Sequence, residues 1–163
     1  MKQESDVGGE LLRLAQRRVA SLGAMLDGHP LVSLVLFDAA PDLSVFHIHI
    51  SRLAQHAKAL EQNPKVGLLI ADEDGPSRNP QTLARLSIRG FAELVDPSSV
   101  AFEEARESYL KKYPQSRISF QLPDFFFVRI QPAAARLVTG FGGIHDFNGE
   151  SLCSLARQAP DFE

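Results

Sequence analysis

The chain has 163 residues, a size that one hydrophobic core can stabilise, and it is 44% hydrophobic and 23% charged, near the averages of soluble globular proteins, which excludes a disordered or fibrous polypeptide. Its formal net charge is −3 with Lys and Arg scattered among Asp and Glu, so the concentrated basic face of a nucleic-acid binder is missing. The single cysteine, Cys153, excludes an internal disulfide and a cysteine-based zinc set, no apolar run approaches the roughly 20 residues of a membrane helix, and residues 1–10 are polar rather than signal-like.

One cytoplasmic domain over residues 1–163 is therefore expected, with no membrane and no nucleic-acid partner. Glu10 to Ala20 predicts an N-terminal helix, because Leu11, Leu12, Ala15 and Val19 recur on one stripe with Arg13, Arg17 and Arg18 outside it. Ser21 to Leu26 and Leu31 to Phe37 predict a hairpin around Asp27-Gly28, since Gly tolerates the positive φ of a tight turn. Val45 to Ile50 alternates, with Phe46, Ile48 and Ile50 on a core face and His47 and His49 opposite.

Ser51 predicts the start of a second helix with Leu53, Ala57 and Leu60 buried, ended by Asn63-Pro64, and Val66 to Ile70 follows as a strand. Asp72 to Pro80 is polar and rich in turn residues, which predicts an exposed loop. Arg85 to Val95 predicts the longest strand, with Gly90 marking a bulge or a close backbone approach.

Asp96-Pro97 predicts the cap and first turn of a third helix running to about Tyr113, striped by Phe102, Ala105, Tyr109 and Tyr113. Phe125 to Ile130 and Ala135 to Thr139 predict two final strands, then a Gly140-Phe141-Gly142-Gly143 turn and a short amphipathic tail. Hairpins dominate and strands do not alternate regularly with helices, so the fold class is mainly β or α+β: an antiparallel barrel over about residues 21–148 with peripheral helices.

The phosphate-loop, zincin, nucleophile-elbow and zinc-deaminase motifs are absent, and Gly140-Phe141-Gly142 lacks the third glycine of a dinucleotide fingerprint, having His145 there. His47 and His49 share a strand face that offers two metal ligands without a third, and an interface or solvated face is the simpler reading. Ser51-Arg52-Leu53-Ala54-Gln55-His56 has the chemistry of an anion cradle: a helix N-terminus, a hydroxyl, a guanidinium and an imidazole. Taken alone, the same residues also read as an N-cap, a solvated arginine and a half-buried histidine.

Three blocks carry a family resemblance. Ser51 to Leu60 closed by Asn63-Pro64 and Val66, the strand Leu86 to Val95 with its glycine, and Leu122-Pro123-Asp124-Phe125 through Pro132 followed by Val138 to Gly142 resemble, in order and spacing, the pyridoxamine 5'-phosphate oxidase-like FMN-binding split-barrel proteins, above all their haem-utilisation branch. The resemblance implies a six-stranded antiparallel split β-barrel, a homodimer, and FMN at the subunit interface acting as a flavin-dependent oxidoreductase cofactor on a small-molecule substrate. It implies Ser51, Arg52 and His56 as phosphate ligands and Ser33 and Leu34 as neighbours of the flavin ring.

The chain departs from the oxidases proper, with Leu31-Val32-Ser33 and Ala54-Gln55-His56 where they carry cations, and with no Trp; pyridoxamine-phosphate oxidation is not expected. The haem-utilisation branch implies the alternative, a haem-binding protein of iron acquisition. Its members use a C-terminal histidine, and the last histidine here is His145. A dimeric scaffold with a vestigial pocket is the third reading.

Overall fold

The structure, a computed structural model, describes residues 4–140 and 142–159, with side chains from Val7 onward. Helix α1 spans Glu4–Ala15, and strands β1 (Val19–Leu26), β2 (His29–Leu36), β3 (Asp38–Ala39) and β4 (Phe46–Ser51) follow. Then come α2 (Gln55–Gln62), β5 (Lys65–Ala71), β6 (Arg85–Leu94), α3 (Val100–Lys112), β7 (Phe125–Val138), β8 (Ile144–Asn148) and α4 (Gly149–Gln158).

All strand pairs are antiparallel, in the order β2-β1-β5-β6-β7-β4-β3, with β8 pairing β7 off that path. Strand β7 makes the split: its first half pairs β4, its second half pairs β8, and β6 runs along its other edge. The sheet curls until β2 lies near β4. This is the expected split barrel, with eight strands instead of six because β3 and β8 are short strands that pattern alone did not reveal.

The concave face holds the core, from Leu22, Ile48, Ile70, Leu86, Ile88 and Ile130 to Leu11 and Leu14 of α1 and Leu152 of α4. Helix α3 lies on the convex face, where Tyr109 and Tyr113 pack on Phe127 in a separate apolar cluster. Tyr113 is fully buried, and its hydroxyl lies 2.6 Å from the Phe37 carbonyl and 2.7 Å from that of Arg18, so the end of α3 is pinned to the chain around β2.

Several expectations change. The first helix ends at Ala15, not Ala20, because β-branched Val19 opens β1 against Leu36. Helix α2 begins at Gln55, and Ser51 still belongs to β4, paired with Phe125; Leu53, expected in the core, is exposed. The cap of α3 is Ser99, whose hydroxyl accepts from the Phe102 N–H, while Asp96 turns the preceding loop by accepting from Ser98.

The two strands expected before and after Pro132 are one, since a bulge absorbs the proline. Arg89 faces Ala134 and Gly90 faces Pro132, so Ala133 is the extra residue. A Cβ on Gly90 would stand 2.4 Å from the Gln131 carbonyl oxygen, which explains the glycine. Gly140 and Gly142 turn the chain at φ 90° and 84°, and Phe141 between them lies outside the described residues. Asp72, expected in an exposed loop, is buried and paired with Arg13, Arg17 and Arg78.

Candidate functional site

Residues on the convex face away from α3 align in rows across the strands. Val32, Gly23, Gly67 and Arg89 are successive register partners on β2, β1, β5 and β6, and Leu34, Ser21, Leu69 and Ser87 form the neighbouring row. Paired residues on adjacent strands point to the same side, and two adjacent glycines leave the sheet without side chains over two strands. The result is a flat, open groove of about 410 Å³, walled by Met25, Pro30, Val32 and Phe91 and edged by Lys65 and Arg89. Both glycines have room for a side chain, the nearest atoms to a built Cβ being 3.7 Å and 3.8 Å away, so packing does not demand glycine there.

The groove adjoins an exposed apolar surface: Val32 and Leu34 are 71% and 73% exposed, and Phe91 is 47% exposed. Arg89 also borders the adjacent concavity that holds Arg136 and Asp146. There Arg136 forms a two-pronged pair with Asp146, at 2.7 and 2.9 Å, which leaves Arg89 as a guanidinium without an ion-pair partner among the described residues.

The residues expected to cradle a phosphate lie elsewhere. Ser51 ends β4, and its hydroxyl donates to Asp124 at 2.7 Å while accepting from the Leu53 N–H. The Arg52 guanidinium lies 4.6 Å from the centre of the Phe126 ring, and the Arg52 N–H donates to the Asp124 carbonyl. His56 sits on the first turn of α2, half-buried, and burial lowers its pKa. Ser33 pairs with fully buried Leu22 and thus faces the core, whereas Leu34 faces the groove side. None of these five residues lines the groove.

His145 pairs with Leu137, which is fully buried, so it takes the core side of β8, and Asp146 takes the convex side with Arg136. The two β4 histidines, His47 and His49, are covered instead of solvated. His49 stacks on Phe120 at 3.8 Å and 8°, contacts Ser119 Oγ through Nδ1 at 3.2 Å, and is pushed down to about 4 by burial. His47 lies edge-on to Phe127, and burial lowers its pKa too. Among the described residues no group of three or more His, Cys, Asp or Glu side chains is arranged to hold a metal ion, and no helix is long and apolar enough to cross a membrane.

The groove escaped the sequence reading because its parts are remote in the chain. Its one local signal was glycine at a convex-face position of two strands, Gly23 and Gly67, and that becomes informative only once β1 is known to pair with β5.

A curled antiparallel half-barrel with an open ligand-sized trough on its convex face defines a split-barrel protein. The sequence profile described as pyridoxamine 5'-phosphate oxidase matches residues 11–139, and the chain belongs to that family. It is 36% identical over 130 residues to the non-canonical heme oxygenase HOZ of Arabidopsis thaliana, an alignment covering 76% of this chain and 37% of that protein. It is 26% identical over 151 residues to the heme oxygenase HutZ of Vibrio cholerae, covering 91% and 85%. A solved heme binding protein from Mycobacterium smegmatis shares the fold, with a TM-score of 0.81 at 20% identity over 94% of this chain and 61% of that one. The chain thus spans well under half the length of the plant relative.

Proposed function

We propose that this chain binds haem in the convex-face groove, as a homodimer, and serves oxidative haem breakdown with haem as substrate. The observation that carries this reading is the register row Val32, Gly23, Gly67 and Arg89: a flat apolar floor ending in a guanidinium that makes no ion pair within 4 Å among the described residues and has Asp146 as its nearby charge. A porphyrin is a flat apolar plate with two carboxylates on one edge, and it matches such a floor bordered by Arg89 and Lys65. Met25 contributes a thioether to the wall, and thioethers and imidazoles are both iron ligands. When bound, haem supplies the redox chemistry. The chain supplies the apolar floor and the two cations.

The names of HOZ and HutZ, both heme oxygenases, support this reading over the flavin one. FMN has weaker support from the geometry. The Ser51 hydroxyl is already bonded to Asp124, whose carboxylate would repel a phosphate, and Arg52 lies over Phe126. The exposed Val32, Leu34 and Phe91 side chains supply a face for the second subunit, which would close the open groove.

Parallel titrations with haemin and with FMN, followed in the visible spectrum, separate the two readings. Saturable haemin binding at micromolar concentration, weakened about tenfold in Arg89→Ala by loss of one charge-assisted contact, is expected. Saturable FMN binding without haemin binding overturns the reading.

A further inference from the structure

A second cavity, sharing no lining residue with the groove, lies between α3 and the convex face. It has a volume of about 290 Å³ and is bordered by the loop from β3 to β4, by His47 of β4, by Arg129 of β7 and by one face of α3. Its walls are mostly small and apolar, among them Ala39, Pro41, Ala101 and Ala105. At roughly 30 Å³ for each water-sized group, it has room for about ten non-hydrogen atoms.

The polar groups at its border are unevenly committed. Asp38 is 9% exposed; its Oδ2 accepts from Ser108 Oγ at 2.6 Å, while its Oδ1 accepts no hydrogen bond from the described residues. The nearest cation to that oxygen, Lys112 Nζ, is 4.0 Å away and donates to the Ala15 carbonyl at 3.0 Å. The His47 ring lies edge-on to Phe127, feels the charges of Asp38 and Arg129, and makes no side-chain hydrogen bond among the described residues. Glu104 borders the same space without an ion-pair partner there, and Arg129 is tied to Glu93 at 2.7 Å.

The cavity is therefore lined by two carboxylates, Asp38 and the exposed Glu104, and by an imidazole whose pKa is lowered by burial, while Asp38 has Lys112 as its ion-pair partner at 4.0 Å. Arg129, its only guanidinium, is already paired. A ligand with several N–H donors and a positive charge matches a lining with two carboxylates. An anion would meet two carboxylates, and a neutral hydrocarbon would offer them no donor.

We propose that this cavity is a binding site for a small primary amine. The ammonium is held by Asp38 and Glu104, and a short aliphatic chain or single ring lies against the alanines of α3. The site is independent of the haem reading, since none of its residues lines the groove.

The test is an NMR titration of the 163-residue chain with 2-phenylethylamine, phenylacetate and 2-phenylethanol, following the His47 ring signals. The amine is expected to give a saturable shift with Kd of about 1 mM or tighter, and the acid none. The alcohol, lacking the charge, is expected to bind at least about tenfold more weakly than the amine.

Asp38 is buried and its replacement can unfold the chain, so two exposed positions on α3 carry the mutational arm. Glu104→Gln should weaken the amine at least about threefold, and Ala101→Phe, which fills the mouth, should abolish the shift while the thermal midpoint stays within about 2 °C of the parent. No shift with the amine, equal binding of acid or alcohol, or an unchanged amine affinity in both variants overturns the proposal.

Discussion

Arg13 on α1 and Asp72 after β5 meet in a two-pronged ion pair, at 2.7 and 2.9 Å, although 59 positions separate them in the chain. Arg17 and Arg78 close on the same carboxylate, whose side chain is 2% exposed. The hydrogen bonds from Arg13, then from Arg17, hold Asp72 down to about 2 against the opposing effect of burial. Three cations from two segments thus fasten the N-terminal helix to the end of the sheet.

Asp72→Asn removes the negative charge and leaves those cations facing one another, which is expected to cost about 1–3 kcal/mol in urea unfolding at pH 7, less than a fully buried pair because the arginines are partly exposed. Because the folded carboxyl titrates below its unfolded counterpart, its stabilisation is present above about pH 4 and lost as pH falls through about 2. The variant should show a shallower loss of stability over that acid window. A parental acid profile would contradict the account.

His49 has a separate pH signature. Burial holds its ring near 4, whereas in an unfolded chain it titrates near about 6.5, so between those values the unfolded state binds more protons and stability rises with pH. His49→Phe keeps a ring to stack on Phe120 but cannot be protonated. Its urea midpoint should be flatter than the parent's from pH 6.5 down to 4, with a small constant loss from the missing Ser119 contact. Parallel profiles would remove His49 from the pH response.

Gly90 and Gly75 form a matched pair of glycine-to-alanine tests. At Gly90 the new Cβ meets backbone at 2.4 Å, and Gly90→Ala is expected to destabilise by about 1–3 kcal/mol. At Gly75 nothing lies within 4 Å, and Gly75→Ala should fall within about 0.5 kcal/mol of the parent. Equal midpoints for the two variants would show that the bulge tolerates a side chain.

These positions also show what the sequence could and could not yield. Asp27-Gly28 marks its hairpin because a tight turn needs positive φ, found here at 51° and 78°. The alternation of Phe46, Ile48 and Ile50 identified the core face of β4, and Gly90 announced its bulge. What covers the opposite face of β4 was not legible, since period-two patterning separates two faces without naming a partner; α3 covers His47 and His49 from far along the chain. Ser51 read as a helix cap because Ser before Arg-Leu-Ala fits one locally, but strand pairing with Phe125 won. The buried state of Asp72 and the groove floor at Gly23 and Gly67 both depend on long-range pairing that no local pattern encodes.

Dimerisation is open to direct measurement. With Val32, Leu34 and Phe91 exposed on one face, light scattering at low micromolar concentration should give twice the chain mass. Leu34→Asp, an exposed position whose substitution spares the core, should shift the mass to that of one chain. A parental chain that is monomeric, or a variant that stays dimeric, would place the subunit contact elsewhere or remove it.

The central claim, that haem occupies the trough above Gly23 and Gly67, is tested most directly by Gly67→Phe. The backbone there has room for a side chain, with the nearest atom to a built Cβ 3.8 Å away, so the ring is expected to fill the groove without disturbing the sheet. The measurement is a haemin titration of parent and variant followed at the Soret band, with circular dichroism confirming equal folding. Saturable binding by the parent and at least about a hundredfold weaker binding by Gly67→Phe, some 2.7 kcal/mol, is the predicted result. Equal haemin affinity in the two proteins would contradict it.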